Sequence, residues 1–152
     1  MLVNVDFKSL EVFVAADWYN DKLLKEEVSD RGHDLHADNQ KRFALPDRVT
    51  AKRFVFKLLY GATAYGYATD SDFISVGYSE RDWQKVIDQF YKKYTGVSKG
   101  HERDIKFVKE NGYLEIPSGR YFNYEAKTYR GEPRWPLTKI KNYPINCSGF
   151  TQ

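Results

Sequence analysis

The chain has 152 residues, and 24 Lys and Arg against 21 Asp and Glu give a formal net charge of +3. Hydrophobic residues make up 41% and charged residues 30%, which predicts one folded domain and excludes a disordered chain. The single Cys147 excludes an internal disulfide and a cysteine-clustered zinc site. The sequence has no apolar run of about 18 residues and no secretory signal pattern, so we expect a cytoplasmic protein with no membrane partner.

The first residues predict a β-strand followed directly by helices. Residues 2–6 alternate apolar and polar side chains, and this strand ends at Asp6. Helices are then predicted over 9–20 and 21–28. A strand at this place needs sheet neighbours, and no other strand is predicted before about residue 112. We therefore expect the chain to be a piece of a larger protein.

Two aspartates predict the starts of the next helices. Asp34 precedes a helical pattern that Pro46 closes, and Asp47 precedes the pattern of residues 48–60. Gly61 lies where the second of these helices would end. A glycine-containing loop is expected to follow, with Gly66 and Gly77 in it.

The second half of the chain predicts two more helices and a β-hairpin. Ser79 and Asp82 form a capping-box pattern before a helix. An apolar stripe on this helix is predicted to be core: Trp83, Val86, Ile87, Phe90 and Tyr94. A polar helix over 99–111 ends at Gly112, and residues 112–126 read as a hairpin that turns at 117–119. The predicted fold class is α+β and mostly α-helical.

The helix over 48–60 has three faces on a helical wheel. The predicted core face comprises Ala51, Phe54, Val55, Leu58 and Leu59, and the predicted solvated face comprises Thr50, Arg53 and Lys57. Between them lies a stripe of two cations and two aromatics: Arg48, Lys52, Phe56 and Tyr60. Such a stripe fits a nucleotide, with phosphates near the helix N-terminus and stacking on the aromatic rings. An ordinary amphipathic helix is the open alternative.

Metal-binding signals from the residues alone are weak. Asp6, at the carboxyl end of a strand, is a suitable ligand for a hard cation, although aspartates also cap helices and turns. His33 and His36 lack the spacing of a zinc site, and neither is predicted to bind a metal.

Four segments in order resemble motifs of DNA polymerase family A. Residues 6–11, DFKSLE, resemble the first palm motif, and residues 34–36, DLH, resemble the Asp-Ile/Val-His segment. Residues 48–61 carry Arg, Lys, Phe, Tyr and Gly at the positions of the fingers motif. Residues 142–146, NYPIN, resemble the later N-x-P-Ø-Q segment. The short interval between the second and third motifs resembles phage polymerases, which favours a virus-encoded protein that acts in a host cell.

The resemblance implies template-directed addition of deoxynucleotides to a primer 3′-end with two Mg²⁺ ions. It assigns metal binding to Asp6 and the Phe7 carbonyl. It assigns contacts with the triphosphate to His36, Arg48 and Lys52, and Lys52 is also the implied proton donor to pyrophosphate. The implied partners are primer-template DNA and deoxynucleoside triphosphates.

The resemblance also implies which residues contact the sugar of the nucleotide and the template. Glu11 matches the steric gate that excludes a ribose hydroxyl, and Phe56 would lie beside the incoming sugar and base. Contacts with template or primer are implied for four residues: Tyr60, Gly61, Asn142 and Asn146.

The chain departs from the family pattern at three motif positions. Ser9 and Asn146 stand where the family has Gln, and Phe13 stands where it has Arg. The family's downstream His-Asp-Glu motif is not in this sequence, so we expect the remainder of a polymerase chain to be required for activity. A non-catalytic nucleotide- or DNA-binding fragment is one alternative, and an unrelated helical protein is another.

The motifs predict three parts of a partial polymerase domain. These are a palm strand and helix over 1–33, fingers helices over 34–111, and a hairpin with the return towards the palm over 112–152. Residues 117–142 carry six Lys or Arg against two Glu, which fits either contact with a duplex backbone or a solvated surface.

Overall fold

The computed structural model describes the backbone of residues 9–148 and the side chains of residues 9–145. The predicted strand over 2–6, with Asp6 and Phe7, lies outside the described residues. The helices are α1 (Leu10–Trp18), α2 (Lys22–Ser29), α3 (Leu35–Arg42), α4 (Arg48–Leu59), α5 (Ala64–Thr69), α6 (Glu80–Lys93), α7 (Thr95–Asn111) and α8 (Leu137–Ser148). The strands are β1 (Tyr113–Glu115), β2 (Tyr121–Asn123), β3 (Lys127–Tyr129) and β4 (Glu132–Arg134).

The strands form two separate antiparallel hairpins, β1 with β2 and β3 with β4. The predicted mostly helical α+β fold is confirmed, and so is the first hairpin, in which Leu114 pairs with Phe122. The second hairpin was not predicted, because it is short, charged and contains Pro133. None of the described helices is both long enough and apolar enough to span a membrane.

Local side-chain hydrogen bonds fix where the helices begin. The Asp34 carboxylate accepts hydrogen bonds from the His36 and Ala37 backbone N–H groups at the start of α3, both at 3.1 Å. Asp47 accepts one from the Thr50 N–H at 2.8 Å, and Ser79 begins α6 with a capping box. These predicted caps are confirmed.

The prediction of a loop after α4 is wrong at Gly66, because this residue lies inside α5. The Thr63 side chain accepts a hydrogen bond from the Gly66 N–H at 3.1 Å and so begins this helix. Tertiary contact then holds it, because the buried Tyr67 hydroxyl donates to the Phe54 carbonyl at 2.7 Å. Gly77 does lie outside the helices, with a φ of 74°.

An aromatic cluster around Phe54 forms the centre of the main core. The Phe54 ring centroid lies 5.1 Å from that of Tyr67, 5.8 Å from Phe43, and 6.0 Å from both Trp83 and Phe90. All five rings are buried, and the predicted core faces of α4 and α6 are confirmed. A smaller cluster joins the β1–β2 hairpin to α7 and α8 through Leu114, Phe122, Val108 and Ile140.

The predicted solvated face of α4 is wrong at Thr50. This side chain is only 9% exposed, and its hydroxyl donates to the Asp47 carboxylate at 2.8 Å. Lys57 is not simply solvated either, because its ammonium forms an ion pair with Asp70 and lies 3.4 Å from Asp72 Oδ2. Arg53 remains half exposed.

One buried carboxylate joins α2 to α7. Asp21 accepts hydrogen bonds from the Leu24 N–H at 3.0 Å, the Gly96 N–H at 2.7 Å and the Val97 N–H at 3.1 Å. It therefore caps two helices, which explains why α7 begins at Thr95 and not at the predicted residue 99.

The interface between α1 and α7 requires a residue without a side chain at position 100. A Cβ atom on Gly100 would lie 2.1 Å from the Tyr19 ring atom Cδ1, and Tyr19 is buried. We expect Gly100→Ala to lower the free energy of unfolding by about 1–3 kcal/mol, because overpacking outweighs the better helix propensity of alanine. Chemical denaturation measures this change.

Gly66→Ala is the matched control, because the nearest atom to its added Cβ lies at an ordinary 3.4 Å. It should leave stability unchanged or raise it by up to about 1 kcal/mol. A Gly100→Ala protein as stable as this control would contradict the packing described for α1 and α7.

Candidate functional site

A cavity of about 460 Å³ lies between the start of α1 and the exposed side of α4. Burial of the opposite side of α4 leaves Lys52 and Phe56 on this cavity, and α1 contributes Glu11. The complete lining is Ser9, Leu10, Glu11, Val49, Lys52, Arg53 and Phe56. The cavity therefore combines a carboxylate, cations and an aromatic ring.

A cation and two rings form one wall of this site. The ammonium of Lys52 lies 5.7 Å from the Phe56 ring centroid. The ring of His36, which is only 6% exposed on α3, lies 6.0 Å from the same ring. Among the described residues, no acidic side chain forms an ion pair with Lys52.

Arg48 is held beside this wall by the residue that caps α3. Its Nε donates to Asp34 Oδ2 at 2.7 Å, while Asp34 Oδ1 accepts from the α3 backbone. The Arg48 hydrogen bond lowers the pKa of Asp34 to about 2, and the same bond raises the pKa of Arg48. Arg48, Asp34 and His36 all line a second cavity of about 630 Å³.

Tyr60, at the end of α4, lies close enough to Glu11 on α1 for the two groups to interact electrostatically. Burial first, and the negative charge of Glu11 second, raise the pKa of Tyr60 to about 12. The phenol is therefore neutral near pH 7 and keeps its proton, so it can act as a hydrogen-bond donor.

Ser9 lies at the junction of both cavities in a left-handed backbone conformation. Its φ is 58°, which is uncommon for a residue with a side chain. Its carbonyl accepts hydrogen bonds from the Val12 and Phe13 N–H groups at 3.0 and 3.1 Å, which begin α1. Ser9 was noted in the sequence only as a departure from a motif, and its backbone conformation was not predicted.

The other end of α4 lies against α8. Gly61 has a φ of 87°, and a Cβ there would lie 3.0 Å from Thr138 Cα and 3.3 Å from the Lys141 side chain. Because Gly61 has no side chain, α8 can pack closely against the end of α4. Asn142 follows on α8 and is half-buried, whereas the Asn146 side chain lies outside the described part of the chain.

One group of described side chains has the geometry to hold a metal ion: Glu27, His33 and Asp38. The sequence predicted no metal at His33. The Lys93 ammonium already lies 2.9 Å from Glu27 Oε1 and 2.7 Å from Asp38 Oδ2, and this lysine side chain is almost fully buried. A protein cation therefore satisfies these carboxylates, and the absence of a metal at His33 stays a prediction.

The structure thus brings together, in two neighbouring cavities, the residues that the resemblance assigns to the nucleotide. Glu11, Lys52 and Phe56 share one cavity, and His36 and Arg48 share the cavity beside it. Asp34 was predicted as a helix cap and as the first residue of a family motif, and its ion pair with Arg48 was missed. Asp6 and Phe7, the predicted metal ligands, lie outside the described residues.

Sequence comparison identifies the class of protein. The family model for DNA polymerase family A matches residues 1–141. The chain belongs to DNA polymerase family A.

Curated relatives include a phage and a bacterial protein. The chain is 28% identical over 133 residues to the DNA polymerase of Mycobacterium phage D29, covering 85% of this chain and 22% of that protein. It is 28% identical over 129 residues to DNA polymerase I of Pseudomonas aeruginosa, covering 78% of this chain and 13% of that protein. The chain therefore spans less than a quarter of the length of these relatives.

A solved structure has the same fold. The POL domain of Pol1 from M. smegmatis, in complex with DNA primer-template and dNTP, matches 93% of this chain with a TM-score of 0.71. The sequence identity is 20%, and the match covers 25% of that chain.

The ion pair between Asp34 and Arg48 predicts a pH-dependent contribution to stability. The folded-state pKa of Asp34, about 2, is below its usual value, so the contribution is present above about pH 4 and lost as the pH falls towards 2. Asp34→Asn keeps a good helix cap but removes the charge. We expect the variant to be less stable than wild type by about 0.2–1 kcal/mol at pH 7, because the pair is half exposed.

Thermal unfolding of both proteins between pH 2 and 7 measures this difference. The two melting temperatures should converge at the acidic end. A difference that is constant across this range would show that the ion pair contributes nothing to stability.

Proposed function

We propose that the chain is part of a DNA-directed DNA polymerase and that the cavity between α1 and α4 binds the incoming deoxynucleoside triphosphate. The observation that carries this proposal is the shared cavity of Glu11, Lys52 and Phe56. These side chains come from two helices and would contact different parts of one nucleotide. Family membership supports the same assignment.

Cations on one side of this site would bind the triphosphate. Lys52 has no acidic partner among the described residues, and Arg48 follows the N-cap of α4, where backbone N–H groups also favour anions. His36 would add a third contact. Lys52 is the proposed proton donor to the leaving pyrophosphate, because it is the cation on the wall of the cavity itself.

Glu11 would select the sugar. Glu11 lines the cavity from α1, and the neutral phenol of Tyr60 lies close to its carboxylate. A carboxylate held against the sugar leaves no space for a 2′-hydroxyl, whereas a deoxyribose fits. Phe56, which packs against His36, would contact the sugar and base.

Contacts with the template and primer are proposed for the end of α4 and for α8. Tyr60 and Gly61 end α4, and Asn142 and Asn146 lie on the helix that packs against Gly61. Asparagine amides can bind minor-groove acceptors, which correct base pairs present in similar positions. The proposed division into palm, fingers and return segments is 1–33, 34–111 and 112–152.

Two Mg²⁺ ions are proposed to supply the activation of the primer hydroxyl and the stabilisation of the leaving oxygen. Their proposed ligands are Asp6 and the Phe7 carbonyl, which lie outside the described residues. The described side chains would therefore bind and orient the incoming nucleotide, and Lys52 would transfer one proton to the leaving pyrophosphate.

The second candidate function is a fragment that binds nucleotide or DNA without turnover. One observation on the described residues favours it. Glu27, His33 and Asp38 have the geometry to hold a metal ion, but both carboxylates are already paired with the ammonium of Lys93, so this group offers no free ligands for catalytic metal ions. Primer extension with this chain, alone and with the remaining polymerase segments added, distinguishes the two candidates. Extension that needs the added segments supports the polymerase proposal.

The triphosphate assignment predicts the effect of removing each cation. Lys52→Ala and Arg48→Ala should each weaken deoxynucleoside triphosphate binding about tenfold, because each removes a charge-assisted hydrogen bond. Isothermal titration calorimetry at two salt concentrations measures this change, and wild-type binding should weaken with added salt.

Lys41→Ala is the matched control, since Lys41 is an exposed lysine of α3 that does not line either cavity. It should bind the triphosphate as wild type does. Equal affinities for all four proteins would overturn the triphosphate assignment.

The sugar assignment predicts a change in selectivity. Glu11→Ala should bring the affinities for dATP and ATP close to each other, because the carboxylate no longer occupies the space of the 2′-hydroxyl. Competition titration with the two nucleotides measures their ratio. Val49→Ala, which shortens another residue of the cavity wall, is the control and should keep the preference for dATP. An unchanged ratio in Glu11→Ala would make Glu11 a structural carboxylate.

A further inference from the structure

A group of titratable side chains lies buried where several helices meet. His101 of α7 is only 3% exposed, and no step of the proposed function uses it. Its Nδ1 lies 3.0 Å from the Tyr91 hydroxyl on α6, and the Tyr19 ring after α1 lies edge-on, with its centroid 4.8 Å away. The ammonium of Lys141 on α8 lies 3.4 Å from the same Tyr91 hydroxyl. The group therefore joins α6, α7 and α8.

The hydrogen bonds in this group have a defined direction. A lysine ammonium can only donate, so the Tyr91 oxygen accepts from Lys141 and its own hydrogen can go to His101 Nδ1. Because Nδ1 then accepts, the imidazole is neutral and carries its hydrogen on Nε2. This Nε2 atom is buried, and it has no hydrogen-bond partner within the described part of the chain. The contacts therefore fit a neutral His101 ring.

A protonated His101 does not fit the same contacts. Both ring nitrogens would then be donors, so Nδ1 could no longer accept from the Tyr91 hydroxyl, and the buried N–H at Nε2 would lack an acceptor. The imidazolium and the Lys141 ammonium would also contact one hydroxyl group, and like charges repel each other. Burial first, and the charge of Lys141 second, lower the pKa of His101 to about 3.

The charged groups around His101 do not compensate an added proton. Asp104, on the next turn of α7, already accepts a hydrogen bond from the Trp18 indole N–H at 2.7 Å and pairs with Arg103 at 2.8 Å. Lys141 forms no ion pair with a described carboxylate, and burial lowers its pKa. The group thus holds two bases and no carboxylate that is free to pair with them.

A change at Lys141 would alter how α8 lies against its neighbours. A Cβ on Gly61, at the end of α4, would lie 3.3 Å from Lys141 Cβ and from Lys141 Cδ, so the lysine stem packs beside this glycine. The Tyr19 hydroxyl donates to the Lys141 carbonyl at 3.4 Å. Lys141 therefore contacts α4, α6 and the end of α1 from a single position on α8.

We propose that Tyr91, His101 and Lys141 form a proton-sensitive contact between α6, α7 and α8. With a neutral His101 the contact is closed, and α8 lies against α6. When His101 gains a proton, Lys141 leaves the Tyr91 hydroxyl for solvent, and α8 loosens from α4 and α6. An effect on the template and primer contacts assigned to α8 rests on the proposed function, whereas the proton-sensitive contact itself does not.

The closed contact is favoured at higher pH. The pKa of His101 is about 3 in the closed state and returns to its ordinary 6.5 when the ring is exposed, so the closed state is fully favoured above about pH 6.5. Below that pH, each unit shifts the equilibrium about tenfold towards the open state, because opening binds one proton. Burial lowers the pKa of Lys141, so loss of the lysine proton at alkaline pH also favours the closed state.

An NMR titration of the chain between pH 8 and pH 4 tests this contact. The amides of Gly61, Ile140 and Lys141 should shift together as the pH falls, with the same midpoint as the imidazole signals of His101. His101→Gln, which cannot gain a proton, should abolish this common transition. Lys141→Met should leave the His101 ring able to titrate, but the α8 amides should no longer follow it.

His33→Gln is the matched control. His33 is also partly buried, but it lies beside Glu27 and outside this group. The variant should keep the common transition with the midpoint of wild type. Circular dichroism is recorded over the same pH range, and the helical signal of wild type should persist through the transition.

Several results would overturn the proposal. One is an absence of the transition in wild type, and another is its persistence in His101→Gln. Loss of helical signal at the same pH would show unfolding of the whole chain instead of a movement of α8. Amides of α8 that still follow the imidazole in Lys141→Met would exclude the lysine as the group that moves.

Triphosphate binding at pH 7.5 is measured in parallel. It should be equal in wild type and His101→Gln, since His101 does not line the nucleotide cavity. If no triphosphate binds to wild type while the pH transition is present, the proposed function fails and the proton-sensitive contact stands.

Discussion

Burial of one face of α4 is the constraint on which the candidate site depends. Phe54 lies in the centre of the aromatic cluster and cannot leave it without opening the core, at a cost of about 3–5 kcal/mol when the ring is truncated. A helix whose buried face is fixed cannot rotate about its axis. Lys52 and Phe56 are therefore held towards α1 and Glu11, and the nucleotide need not order them on binding.

Short-range polar contacts then connect α4 to its neighbours. Asp34 caps α3 and pairs with Arg48, so one carboxylate aligns two helices that both carry proposed phosphate ligands. Tyr60, at the other end of α4, lies close to Glu11 on α1, whose negative charge helps to raise the pKa of the Tyr60 phenol. These contacts place the proposed phosphate, sugar and template contacts along a single helix in that order.

The sequence predicted local features well because their causes are local. The caps at Asp34 and Asp47 and the core face of α4 follow from neighbouring residues. Helix α5 was missed because Tyr67 bonds to the distant Phe54 carbonyl, and the second hairpin was missed because charged strands lack an apolar alternation. The cavity could be anticipated only through the resemblance, since nothing in the spacing brings α1 beside α4. The ion pair of Arg48 was missed for the same reason.

The central claim is that the triphosphate lies along the N-terminal half of α4. Amide chemical-shift mapping by NMR, with dATP and with deoxyadenosine at equal concentration, tests it directly. We expect the amides of His36, Arg48 and Lys52 to shift with dATP and to change little with the nucleoside. Shifts of equal size with both ligands, or shifts confined to residues outside α3 and α4, would contradict it.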